Sequence, residues 1–140
     1  MSDESQIVHG TCVTINGHGV LLMGESGSGK SDCALRLLDD GALLVSDDRT
    51  SLTPDLDRNL LTATAPAPIK DMIEIRGLGI VRWEAVDEAP LRLVIQACDA
   101  DQEPRMPDLN TDDSFATFAG IRVPKFQFDL RHGAAPAKIR

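Results

Sequence analysis

The chain has 140 residues, with 42% hydrophobic and only 4% aromatic side chains, enough for one core and too little for two domains. Its 22 acidic residues outweigh 14 basic ones for a formal charge of −8, which excludes the broad positive footprint that nucleic acid or an anionic membrane requires. No apolar run reaches the length of a membrane span or signal-peptide core, and Cys12, Cys33 and Cys98 have neither metal nor disulfide spacing, so a cytoplasmic protein with buried free thiols is expected.

In chain order, Ile7 to Ile15 alternates loosely and is followed by Asn16-Gly17-His18-Gly19, a hairpin-turn signature. The next run, Gly19 to Met23, is continuously apolar and reads as a buried strand with an antiparallel neighbour. It leads into Gly24-Glu25-Ser26-Gly27-Ser28-Gly29-Lys30-Ser31, a complete phosphate-binding loop in the strand–loop–helix setting that the motif requires. The glycines turn successive backbone N–H groups toward phosphate oxygens, and the helix that follows adds its positive end. Lys30 is placed to reach the β/γ-phosphates of a nucleotide, and the Ser31 hydroxyl to ligate Mg²⁺.

The helix is expected from about Lys30 to Asp40, with Cys33, Ala34, Leu37 and Leu38 on its apolar side and Gly41 as the left-handed residue ending it. Ala42 to Val45 then reads as a strand that lies parallel to the first in the same sheet, because a helix joins them. Ser46, Asp47 and Asp48 emerge at its carboxyl end, where open α/β sheets bind ligands. One carboxylate of such a pair can hold the Mg²⁺ shell while its neighbour accepts a proton from an attacking hydroxyl. The spacing leaves the two roles open, and Asp-Asp also suits a simple turn before Arg49-Thr50.

Ser51 to Ala67 reads as strand or hairpin, with Thr53-Pro54-Asp55 as its turn and Pro66 and Pro68 as breakers. Ile73-Glu74-Ile75-Arg76-Gly77-Leu78-Gly79-Ile80 on its own reads as an ordinary strand with Glu74 and Arg76 outward, and Gly79–Trp83 and Leu91–Ile95 as further strands. Trp83 suits a core or edge anchor. Residues 99–113 carry six acids against Arg105 alone and read as an acidic loop, whereas 121–140 hold five bases against Asp129. That basic tail reads as a solvated end, or as a docking surface for an acidic or phosphorylated protein.

Taken together, His9-Gly10, the loop from Gly24 to Ser31, Leu44-Val45-Ser46-Asp47-Asp48 and Glu74-Ile75-Arg76-Gly77-Leu78-Gly79-Ile80 occur in the order and spacing of the catalytic domain of HPr kinase/phosphorylase. The chain resembles that family from Val8 to Pro124, most closely up to Val81. The resemblance implies an α/β fold, a P-loop-containing mixed sheet with helices similar to the nucleotide domain of phosphoenolpyruvate carboxykinase, with 1–140 as a single kinase domain. It implies a bacterial serine kinase that uses ATP and Mg²⁺ to phosphorylate HPr, the phosphocarrier of the phosphotransferase system. Carried over by residue, Lys30 contacts the nucleotide phosphates and Ser31 binds Mg²⁺. Asp48 is the proton acceptor with Asp47 beside it at the metal, Glu74 is a further Mg²⁺ ligand, Arg76 belongs to the catalytic segment, and His9 lies near the phosphates.

The family also implies a homo-oligomer. Longer family members carry an extra N-terminal domain, and any regulation that it supplies is expected to be missing; Arg105 matches the family's substrate-side arginine weakly. Val123-Pro124 and Leu130-Arg131-His132-Gly133 match the segment linked to dephosphorylation only loosely, so kinase activity is expected ahead of phosphorylase activity. Two other readings of the loop are a non-catalytic ATP-binding regulatory module and a small-molecule kinase.

Overall fold

The computed structural model describes residues 5–24, 30–66, 72–75, 79–82, 85–97 and 115–128, with the side chains at 31, 32, 74, 75, 81, 82 and 128 outside that description. Strands β1 (Gln6–Ile15) and β2 (His18–Met23) form an antiparallel hairpin paired from Ile15–His18 to Gly10–Met23. Asn16 and Gly17 both have left-handed φ, 53° and 82°, the geometry of the two-residue turn that matches strand twist. The expected hairpin is present.

Helix α1 (Lys30–Asp39) buries Cys33, Ala34, Leu37 and Leu38, the four positions of the expected apolar side. Gly41 at φ 107° ends it: Gly41 N–H donates to the Leu38 carbonyl (3.1 Å) and Ala42 N–H to the Leu37 carbonyl (3.0 Å), a Schellman closure. Strand β3 (Leu43–Ser46) follows and pairs antiparallel with β1 at Cys12, Val13 and Thr14, residues whose other edge is taken by β2. It therefore runs parallel to β2 in one sheet, as the helix connection requires, with β1 inserted between them.

Strand β4 (Arg49–Asp55) continues along the same edge of β1, from His9–Arg49 to Gln6–Leu52, and then pairs antiparallel with β5 (Leu60–Thr64). Here the structure corrects the expected turn at Thr53-Pro54-Asp55. Pro54 lies inside β4 opposite Leu61, and the turn is at 56–59. Proline is tolerated because the β1 ladder stops at Leu52, so the missing N–H removes no bond on that edge. Asp55 Oδ1 accepts the Arg58 N–H (3.2 Å) and Asn59 supplies a left-handed residue at φ 51°, which is the turn chemistry the proline had suggested one step too early.

Strand β6 (Met72–Ile75) and β7 (Gly79–Arg82) form a separate two-stranded ribbon. Strand β8 (Ala89–Ala97) pairs parallel with β2, from Gly19–Leu91 to Met23–Gln96, and its first residues pair antiparallel with Thr62 and Ala63 of β5. The circuit β1–β2–β8–β5–β4 thus closes on itself. Strand β10 (Ile121–Phe128) adds parallel to β8, and β9 (Phe115–Phe118) antiparallel to β10. The described part of the expected basic tail is accordingly a sheet strand rather than a solvated end: Ile121 and Val123 are buried, while the Arg122 guanidinium lies 4.1 Å from the Phe115 ring centroid.

Period-two alternation divides the core between the two faces of the sheet. One cluster gathers Val8, Cys12, Leu21, Leu52, Leu61 and Val94 with residues of β9 and β10. The other packs Val13, Val20, Leu22, Leu44 and Ile95 against α1, with Ile73 of β6 joining it. The mixed sheet agrees with the expected fold class, with α1 as the one helix among the described residues. No helix there is long and apolar enough to cross a membrane. Residues 99–113, Trp83, Cys98, Arg105 and 129–140 lie outside the described residues.

Candidate active site

Three consecutive residues of β1, His9-Gly10-Thr11, organise the site because each edge of this strand carries one half of the expected chemistry. On one edge Gly10 pairs with Met23, the last residue of β2, immediately before Gly24. On the other edge Gly10 N–H donates to the Asp48 carbonyl at 2.8 Å. The mouth of the phosphate loop and the aspartate pair are therefore two strand spacings apart, about 10 Å. A Cβ on Gly10 would lie 2.8 Å from Leu21 Cδ1 and 2.9 Å from the Leu22 carbonyl oxygen, so only glycine lets β1 and β2 approach so closely here.

Lys30 opens α1, and its Nζ donates to the Gly24 carbonyl at 2.7 Å. The amine thus spans the loop from the helix side to the strand side, where phosphate oxygens would meet it. Glu25 to Gly29 lie outside the described residues, as does the Ser31 side chain; the flanks of the expected strand–loop–helix unit are both in place.

Asp47 and Asp48 form the joint between β3 and β4, flanked by the pairs Cys12–Ser46 and His9–Arg49 and facing Thr11 and Gly10. Arg49 N–H donates to the Asp47 carbonyl at 2.7 Å, closing a three-residue turn with Asp48 at its centre and φ 68°. That is the rarer, strained hand of the γ-turn. Such strain persists only where surrounding bonds over-determine it, and it gathers at functional sites. The bonds are present: Thr50 Oγ1 donates to the Gly10 carbonyl at 3.0 Å, and Ser46 Oγ donates to the Arg49 carbonyl.

The turn gives the two carboxylates different surroundings. Asp47 is 6% exposed, and its Oδ1 accepts the Thr11 hydroxyl at 2.9 Å. Asp48 is exposed, and its backbone N–H donates to the same Thr11 oxygen at 3.1 Å. A solvent-facing carboxylate suits a base that must meet another molecule's hydroxyl, whereas a buried one suits a fixed ligand or orienting group. His9 is exposed beside them, at the Arg49 pairing position.

Glu74 lies on β6 as the register partner of Ile80, next to buried Ile73, which packs on α1. Its backbone is thereby tied to the helix that begins at the loop; its side chain and the whole of Arg76 lie outside the described residues. Sequence reasoning missed Thr11 and Thr50, both buried. The signal was a threonine at an inward strand position, which reads as β-propensity until its partner is known. In the core layers, Cys12 and Cys33 are buried free thiols as expected; burial pushes their pKa values up to about 12 and about 11.

Residues 2–139 match the sequence model of the HPr Serine kinase C-terminal domain. An HPr kinase/phosphorylase of Thermoanaerobacter sp. (strain X514) is 35% identical over 133 residues, covering 90% of this chain and 43% of that protein. The HPr kinase/phosphorylase of Caldicellulosiruptor bescii is 36% identical over 132 residues, covering 89% of this chain and 42% of its own. The chain therefore spans less than half the length of these curated relatives. Among solved structures, the Hpr(Ser) kinase/phosphatase from Coxiella burnetii superposes with a TM-score of 0.80 at 30% identity, covering 96% of this chain and 91% of that one.

Proposed function

The chain belongs to the HPr serine kinase C-terminal domain family, and from that premise we propose that it transfers the γ-phosphoryl group of ATP to a serine hydroxyl of an HPr-type phosphocarrier protein, with Mg²⁺. The observation that carries this reading is the strained Asp47-Asp48 turn bonded to the same glycine of β1 that pairs with the end of the phosphate-loop strand. Two halves of a phosphoryl-transfer site meet there on one backbone residue.

The donor set fits Mg²⁺, a hard ion that takes one or two carboxylates and completes its shell with substrate phosphates and water. Among the described residues no three His, Cys, Asp or Glu side chains cluster, so the fit rests on buried Asp47, with Ser31 and Glu74 as the further oxygen donors in this proposal. The ion would neutralise charge between the β- and γ-oxygens. Lys30 holds the phosphates from the helix side. Asp48, facing solvent, takes the proton from the acceptor serine as the new bond to phosphorus forms and the bond to the β-phosphate oxygen breaks. His9 and Arg76 complete the phosphate side. The family resemblance also supports a homo-oligomer.

The test is transfer from labelled ATP to purified HPr of the same organism, with the modified residue mapped. Asp48→Asn is expected to keep nucleotide binding and to lower turnover by roughly 10²–10⁴-fold, the usual effect of losing a general base. Binding of ATP with no transfer by the wild type would reject the kinase reading; full turnover by the variant would reject the role of Asp48.

A further inference from the structure

We propose that Thr11 is the positioning residue of the aspartate pair, an inference that rests on the phosphoryl-transfer reading above. Thr11 is fully buried in the middle of β1, where a hydroxyl without partners would be strongly unfavourable. Its partners are both aspartates: the oxygen accepts the Asp48 N–H at 3.1 Å while its proton goes to Asp47 Oδ1 at 2.9 Å. One hydroxyl therefore fixes the backbone of the exposed carboxylate and the side chain of the buried one. Few other groups could do both. The facing position in the ladder puts Thr11 directly across from Asp47, and the peptide that enters the turn brings the Asp48 N–H onto the same oxygen.

The neighbouring hydroxyls do something different. Thr50 bonds the Gly10 carbonyl and Ser46 the Arg49 carbonyl, so both brace backbone on either side of the turn through carbonyl groups. Thr11 alone among these three reaches a carboxylate oxygen. Its role is to hold the distance and angle between proton acceptor and metal-side carboxylate. It touches neither substrate nor metal itself, so its loss should act on turnover rather than on nucleotide affinity.

The experiment compares Thr11→Val, which keeps the shape and loses the hydroxyl, with Thr11→Ser, which keeps the hydroxyl, and Thr11→Cys, a weaker hydrogen-bonding group. Thr11→Val should lower kcat roughly 10- to 100-fold, the effect of misplacing reacting groups by a fraction of an ångström to one ångström, while KM for ATP stays within about threefold. Thr11→Ser should stay within about threefold of wild-type kcat, with Thr11→Cys between. Wild-type turnover in Thr11→Val, or an equal loss in the serine and valine variants, overturns the proposal. If the valine variant does not fold, the cysteine variant decides: a loss of several-fold supports positioning, and an unchanged rate overturns it.

A wild type that transfers nothing would sink the kinase reading itself, and hydrogen exchange at the Asp48 amide then judges Thr11 separately. Protection in the wild type and the serine variant, lost in the valine variant, supports the bond as the element that holds the turn; equal exchange in all three overturns it.

Discussion

Asp48 combines an exposed carboxylate with φ 68°, a conformation that asparagine and aspartate accept more readily than other non-glycine residues. Asn is therefore the replacement that separates loss of the base from loss of the turn, and a fall in turnover in that variant reads as chemistry. The placement of the adjacent aspartates after a strand, and of Lys30 at the start of the helix, was legible because they follow a strand and a loop in sequence. Thr11 was not, since its meaning depends on a residue brought opposite it by pairing β1 with the β3–β4 edge. The two buried thiols make a separate residue-scale statement about pH. Burial raises Cys12 from an ordinary 9.0 to about 12 and Cys33 to about 11, so between pH 9 and 11 the unfolded chain sheds these protons while the folded one keeps them. The unfolded state then binds fewer protons, and stability must fall as pH rises, by about 1.4 kcal/mol per pH unit for each thiol. The chain has no tyrosine to confuse the titration. Urea midpoints measured from pH 8 to 11 should decline above pH 9, and a Cys12→Ala/Cys33→Ala variant should show a clearly shallower decline; parallel curves would mean that the thiols are not shielded as described.

Helix α1 is the element whose sequence carries most of its own description. Its apolar positions recur at the 3.6-residue period, its start is the end of a phosphate loop, and its stop is a glycine that the structure finds at φ 107°. The same helix fixes the site, because it presents Lys30 at one end and packs Ile73 of the Glu74 strand along its side. Leu37→Ala removes a fully buried side chain from the core layer that Ile73 joins and should destabilise the fold by about 2–5 kcal/mol. In urea this appears as a midpoint lowered by about 1–2 M with an unchanged slope; a shift below a few tenths of a molar would mean that the helix packs loosely on the sheet. The β3–β4 edge shows where element-level reading stopped. Ser46-Asp47-Asp48 follows the apolar run Ala42–Val45 and reads as a strand end, yet the ladder with β1 resumes in register at Arg49 beyond a single turn. Pro54 misled in the opposite direction: proline marks turns locally, and its tolerance here depends on how far the neighbouring strand extends.

At the scale of the whole molecule, the closed circuit β1–β2–β8–β5–β4 was invisible in sequence, since nothing local in Leu91–Ile95 specifies that it lies parallel to the loop strand β2. Register between distant strands is set by the matching of buried faces, and each apolar strand here has more than one plausible neighbour. What the circuit does physically is to make both core layers lean on the same strands. Cys12 and Val13 are adjacent in β1, yet the first belongs to the layer with β9 and β10 and the second to the layer under α1. Leu21 and Leu22 divide in the same way on β2. Pulling either layer apart would strip one face from the strands that support the other, so the layers should open together, as small single domains usually do. The thiols provide a probe in each layer, Cys12 in one and Cys33 in the other. Pulsed alkylation across a urea series, with the modified cysteines identified by peptide mass, should label both at one midpoint that also coincides with the loss of far-ultraviolet circular dichroism. Labelling of Cys33 at lower urea than Cys12 would instead mean that α1 and the phosphate loop it anchors detach as a unit, and the site would then owe its geometry to a layer less stable than the sheet that carries the aspartates.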